Sequence, residues 1–161
     1  MAKMGVAAEV IRAHLEDCPQ SEDGTWPRPM IGWVRHKAVA AALLEAVDKA
    51  GAPYALIAGS TSDNDRDQVV DAYQEGRVPI LIASIAKAGV GLTLTRGSDQ
   101  LFCETSWNVS DVTQCEDRQH RPGQTAESIQ IRTLIARGTL DEPLQKVLEL
   151  KQTTPERALG A

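Results

Sequence analysis

Basic charge is in short supply in this chain. Lys and Arg total 17 against 22 Asp and Glu, a formal net charge of -5. That balance disfavours a protein that coats nucleic acid through bulk charge, although it leaves room for a local basic strip. Much of the acid lies in Glu16-Asp17, Glu22-Asp23 and Asp63 to Glu75. Aromatic residues are scarce too, with one Phe, two Tyr and three Trp. The core must therefore rest on Ala, Val, Ile and Leu. The cysteines, Cys18, Cys103 and Cys115, form no CxxC pair, so no disulfide framework, zinc site or other metal site is expected. A reducing, intracellular setting is the simplest reading. No run of about 18 apolar residues exists, so no membrane span is expected. The first ten residues lack a long apolar core and do not read as a signal peptide.

What is there reads as one α/β domain. The 161 residues suffice for a single core and are too few for two. Ala7 to Leu15 carries Val10, Ile11 and Leu15 at helical spacing, and Cys18 to Pro29 is a proline-bearing loop; residues 1–29 thus form a helix and loop leading into the domain. Met30 to Val34 reads as a buried strand and Ala38 to Lys49 as a helix ending near Gly51 and Pro53. Tyr54 to Ile57 is a second strand. After the polar turn Gly59 to Ser62 comes a helix capped by Ser62 or Asp63 and ending at Gly76. Val78 to Ala83 is a third strand and Leu101 to Cys103 part of a fourth. Ser110 to Gln119 reads as a helix, Ser128 to Ile135 as a strand exposed on one face, and Thr139 to Leu150 as a last helix with Thr139 at its cap. Short apolar strands alternating with helices predict a mostly parallel sheet covered on both faces. In such sheets ligands sit at the carboxyl ends of the strands, so chemistry is expected in the loops that follow them.

The most informative string is Gln114-Cys115-Glu116-Asp117-Arg118-Gln119-His120-Arg121-Pro122-Gly123-Gln124. Arg118 and Arg121 are three apart, on one side of a helix or its C-terminal turn. A guanidinium is always charged and presents donors in a fixed fork, which suits a phosphoryl group in its transition state. By itself an RxxR pair is more often a solvated basic helix end.

The whole string resembles motif VI of the Swi/Snf-type ATPases of superfamily 2, whose pattern is close to Q-A-x-D-R-x-H-R-x-G-Q. Cys115 stands for the usual Ala and Pro122 for the commoner Ile. The resemblance implies a RecA-like second lobe in which Arg118 and Arg121 act as arginine fingers toward a nucleotide on another lobe, with Gln114 in an interlobe polar role. Ser84 to Thr95 resembles motif V, which implies contacts with both the DNA backbone and the nucleotide region, Ser84, Lys87 and Thr93 being the candidate DNA contacts. There Gly89 and Gly91 would let the backbone approach a phosphate, and Ser84 or Thr93 would hydrogen-bond it. Glu104-Thr105-Ser106-Trp107-Asn108 is similar to the family's D/E-x-x-W-N-P segment, with Val109 in place of Pro, and implies DNA contacts from Trp107 and Asn108. Packing is the competing role for Trp107. Gly59-Ser60-Thr61-Ser62 with Arg66 resembles a backbone-binding turn, in which a helix cap is also expected. Ile31 to His36 resembles motif IV, and Arg35, His36 and Lys37 are its candidate DNA contacts; an ordinary helix entry is the alternative. Leu134 to Glu142 resembles the family's L-I-x-x-G-T-I-D-E and reads as structural.

The family's first lobe carries a G-x-x-x-x-G-K-[ST] loop and a D-E-x-H segment, and neither string occurs here. The resemblance therefore implies that ATP and Mg²⁺ are held mainly by a separate first lobe and that the chain alone does not turn ATP over. DNA, in duplex form, is the implied second partner. The run from Met1 through a terminal helix is expected to be one second-lobe domain over 1–161, supplied as a natural split ATPase rather than an excised piece. Location follows as cytoplasmic or nucleoid-associated, nuclear in a eukaryote, or host cytoplasm for a virus. The alternative function is a DNA-binding or regulatory module outside ATP turnover. An unrelated doubly wound ligand binder would explain the strand and helix alternation but not the ordered motifs.

Overall fold

The structure, a computed structural model, describes residues 2–87 and 91–158. Five strands form one sheet in the order β2-β3-β1-β4-β5, every neighbouring pair parallel. They are β1 (Met30–Val34), β2 (Tyr54–Ile57), β3 (Ile80–Ser84), β4 (Asp99–Phe102) and β5 (Gln130–Thr133). The helices are α1 (Ala2–Asp17), α2 (Lys37–Lys49), α3 (Asp63–Gln74), α4 (Val109–Glu116) and α5 (Asp141–Ala158).

Alternation along the strands builds two cores. Met30, Val34, Ile80, Ile82, Leu101 and Cys103 pack with Ala7 and Ile11 of α1 and with Leu43 and Val47 of α2. Ile31, Trp33, Leu81, Ala83 and Phe102 pack with Tyr73 of α3, Val112 and Cys115 of α4, and Leu144 and Leu148 of α5. Burying each large side chain of this kind stabilises by about 1.5–3 kcal/mol. On the second face the β3–β4 connection contributes Ile85, Leu92 and Leu94, so that loop is part of the core. Cys103 and Cys115 lie inside, and burial pushes both thiols up to about 12. They remain protonated and pack as small apolar groups.

Several elements differ from their sequence reading. α1 begins earlier and α5 runs longer than expected. α4 is Val109–Glu116 with Asn108 as its N-cap, so Arg118 and Arg121 lie in the turns after the helix and not on it. β5 is the sheet edge and all four of its residues are exposed, where exposure of one face was expected. Ser62 caps α3, its Oγ accepting the Asp65 amide.

The amino edge of the sheet is held by charge. Asp99, the first residue of β4, is buried, with Arg132 Nη1 3.1 Å and Arg28 Nε 3.0 Å from its carboxylate. Only the first contact has hydrogen-bond geometry, since Asp99 Oδ2 has no hydrogen-bond partner. His14 of α1 lies alongside, hydrogen-bonded to the Arg28 carbonyl. Burial holds its pKa below the usual value against the pull of Asp99.

Candidate functional site

The sheet's carboxyl edge collects the loops after β1, β2, β3 and β4, because the strands run in parallel register with Val34 beside Ser84 and Trp33 beside Phe102. Arg35, His36 and Lys37 are exposed there, as are Ser60 and Ser62. Thr61 is half-buried and its Oγ1 accepts the Ala58 amide, so it closes the turn. Ser62 is engaged as the α3 cap, and Arg66 is paired with Asp63 and Asp67. Ser84 ends β3, and Lys87 ends the short 3₁₀ turn that follows. Trp107 is 50% exposed beside this cluster. Asn108 accepts the Ser110 amide and donates to Asp111, so its side chain is occupied in starting α4. A cavity of about 610 Å³ opens here, bordered by Arg35, His36, Glu104, Trp107 and Leu140.

Sequence reading did not assign a role to Glu104. Its Oε2 accepts the amides of Arg35 and His36 at 2.8 and 2.9 Å, and its Oε1 meets His36 Nδ1 at 2.6 Å. The carboxylate thus ties the end of β4 to the entry of α2. Burial raises its pKa, but the hydrogen bonds from the His36 side chain and the two amides outweigh burial and leave it below the usual carboxylate value. A depressed carboxylate pKa adds stability above the unfolded-state value of about 4.3, and that stability is lost as pH falls through the folded value. Unfolding midpoints measured below about pH 4.3 are expected to fall more steeply for the parent chain than for Glu104→Gln. Parallel slopes would show that the carboxylate has no such role.

The second group of residues lies away from that edge. α4 runs back across the sheet, and its last carbonyl, Glu116 O, accepts from Gln100 Nε2 near the start of β4. The β3–β4 connection makes the same journey, and its Leu94 amide donates to the Arg118 carbonyl at 2.9 Å. Arg121 Nη1 contacts Thr93 Oγ1 at 3.4 Å. The arginine pair therefore sits with the returning limb of the β3–β4 connection, on the face between α3 and α4, rather than among the carboxyl-edge loops. Gly91, in positive φ, and Thr93 are exposed on that limb. Gly89 lies outside the described residues. Gln114, exposed on α4, donates to Ser110 Oγ.

Arg118 is more enclosed than an outward-reaching pair would be, with 5% of the residue exposed. Its Nε is buried without a hydrogen-bond partner. No salt bridge joins Arg118 or Arg121 to a carboxylate among the described residues. Burial, and then the charge of Arg121, lower the Arg118 pKa. A buried guanidinium next to a second one, with no anion between them, is an electrostatic arrangement that an added anion would relieve.

The comparisons with known proteins place this geometry. A parallel five-stranded sheet with helices on both faces is the RecA-like arrangement, and the helicase conserved C-terminal domain family matches residues 26–123. The chain belongs to that family, as a C-terminal RecA-like lobe of the superfamily 2, Swi/Snf type. It is 36% identical over 120 residues to the SWI/SNF-related matrix-associated actin-dependent regulator of chromatin subfamily A-like protein 1 of Xenopus tropicalis, covering 74% of this chain and 13% of that protein. It is 39% identical over 122 residues to the DNA annealing helicase and endonuclease ZRANB3 of Homo sapiens, covering 74% and 11%. The C-terminal part of the Fun30 ATPase domain superposes with a TM-score of 0.78 at 24% identity, over 91% of this chain and 44% of that one, which shows the fold alone. The chain thus spans only a small part of the length of its curated relatives. No helix among the described residues is long and apolar enough to cross a membrane.

Proposed function

We propose that this chain is the second lobe of an ATP-driven DNA translocase, presenting Arg118 and Arg121 to a triphosphate on a first lobe and its carboxyl-edge loops to duplex DNA. The observation that carries this reading is the adjacency of Arg118 and Arg121, neither of them in a salt bridge with a carboxylate among the described residues. A polyphosphate suits that pair because its charge offsets two cations. Mg²⁺ is assigned to the first lobe together with the ATP that it accompanies. When bound there, ATP with Mg²⁺ supplies the transferable phosphoryl group. This chain's part is to place two fixed positive charges against the charge that develops on it.

At the carboxyl edge, the exposed Arg35, Lys37 and Ser60 suit phosphate oxygens of a DNA backbone. Trp107 adds an exposed aromatic face beside them. Gln114 is assigned the interlobe contact, and the glycines of the β3–β4 connection the close approach to phosphate. Either a separate chain or the remainder of a longer protein can supply the first lobe. Location follows the DNA: a nucleus, a nucleoid or the cytoplasm.

The test is reconstitution. The chain alone is expected to hydrolyse no ATP; with a first lobe carrying the phosphate loop and with duplex DNA, turnover is expected to appear. Tight, salt-sensitive DNA binding by the chain alone, with no turnover in the mixture, would favour a non-catalytic DNA-binding module instead.

A further inference from the structure

Motif VI leaves the position between Asp117-Arg118 and His120-Arg121 open to any residue, and here it holds a glutamine. Gln119 is fully buried. Its Nε2 donates to the Tyr73 hydroxyl at 2.9 Å and to the Asp99 carbonyl at 3.3 Å. Tyr73 belongs to the last turn of α3, and its hydroxyl donates in turn to the Pro29 carbonyl. The Gln119 main chain is also engaged: its carbonyl accepts the Arg121 amide at 3.0 Å and Gln124 Nε2 at 3.2 Å. One residue thus joins the arginine-bearing turn to α3, to the start of β4 and to the residue before β1.

Packing alone does not call for this side chain. A buried amide costs free energy unless all its groups are paired, and Gln119 Oε1 has no partner. An apolar residue of the same volume would fill the space without that cost. What the amide adds is direction. Its two donor contacts fix the main chain at the point from which Arg118 and Arg121 leave on either side. Rate enhancement by a positioned charge is steep in geometry, and a displacement of about 1 Å can cost about 10²-fold.

We propose that Gln119, through Tyr73 and the Asp99 carbonyl, is a positioning residue that sets the aim of Arg118 and Arg121. This rests on the proposed function above. It touches no substrate and acts only through the two arginines.

The test uses Gln119→Leu, which keeps volume and removes the donor, and Tyr73→Phe, which removes one hydroxyl from the same bond. Both are assayed with a first lobe carrying the phosphate loop, duplex DNA and Mg-ATP. The expected result is a fall in kcat of about 10- to 100-fold for Gln119→Leu, with KM for ATP within about threefold. The double variant should lose no more than Gln119→Leu alone, because both changes break one shared contact. Gln119→Asn, which restores a shorter amide, should recover part of kcat. A kcat unchanged in both single variants, or losses that multiply in the double, overturns the proposal. Arg118→Met and Arg121→Ala serve as references. If those two also leave turnover intact, the functional reading falls and takes the positioning role with it; if they abolish turnover while Gln119→Leu does not, only the positioning role falls. Should Gln119→Leu not fold, Tyr73→Phe decides between the same outcomes.

Discussion

Arg118→Met is expected to remove ATP turnover from the reconstituted enzyme while leaving the lobe as stable as before, or more so. The two effects have one cause. Arg118 is enclosed, its Nε has no hydrogen-bond partner, and the neighbouring Arg121 repels it. Its burial therefore costs stability that no ion pair offsets. An apolar side chain of similar volume removes that cost, as replacement of a whole buried ion pair by packed apolar residues often does, by about 1–4 kcal/mol. Under the proposed function the same charge would face a phosphoryl group, and loss of an arginine finger costs about 10³- to 10⁵-fold in rate. Arg121→Ala is expected to give a similar loss of rate with little change in stability, since Arg121 is only half-buried and, among the described residues, its side chain makes only the long hydrogen bond to Thr93. Urea unfolding of the isolated chain and phosphate release by the reconstituted enzyme measure the two sides. An Arg118→Met variant that is strongly destabilised and still active would reverse the assignment, making the residue structural.

The largest effect on folding is expected at Gly97. A Cβ there would lie 1.9 Å from the Pro29 carbonyl oxygen and 2.2 Å from the Tyr73 hydroxyl. The first of these is main chain and cannot turn aside. The Gly97 carbonyl also accepts from Gln124 Nε2, so this glycine lies where the β3–β4 connection, the residue before β1, the end of α3 and the arginine turn converge. Gly97→Ala must push these segments apart, at a cost of about 3 kcal/mol or more, a large share of the 5–15 kcal/mol that holds a domain of this size together. Urea denaturation of the isolated chain measures it. A change below about 1 kcal/mol would mean that the segments separate easily.

Much of the architecture was legible from the residues. Met30–Val34 and Tyr54–Ile57 are strands at the expected limits, because short apolar runs bounded by turn residues leave few options. Ser62 caps α3 as its hydroxyl and the following acids suggested. The position of the arginine pair was less legible. The rule that chemistry lies at the carboxyl ends of strands led to one cluster of loops, but α4 carries motif VI back to the other end of the sheet. Nothing in a linear string reports that return. The roles of Gln100, Gln119 and Glu104 were likewise hidden, because a polar residue in a sequence reads as surface until its neighbours in space are known. For Gln100 a faint signal existed: it sits inside the buried strand Asp99–Phe102, where an exposed amide would be out of place.

α3 has a further mechanical meaning. Its 12 residues give a rod of about 18 Å with one tip at the Gly59–Ser62 turn and the other at Tyr73 and Gln74. Gln74 holds Thr95 and Arg96 of the β3–β4 connection while Tyr73 holds Gln119, so the β3–β4 connection and the arginine turn hang from the same tip. Rotating such a lever by about 3° around its first residue moves the far end by about 1 Å, which is as large as the tolerance of the chemistry. A tug on the Gly59–Ser62 turn would thus be felt as a change of aim at the guanidinium groups, with no need for the sheet itself to bend.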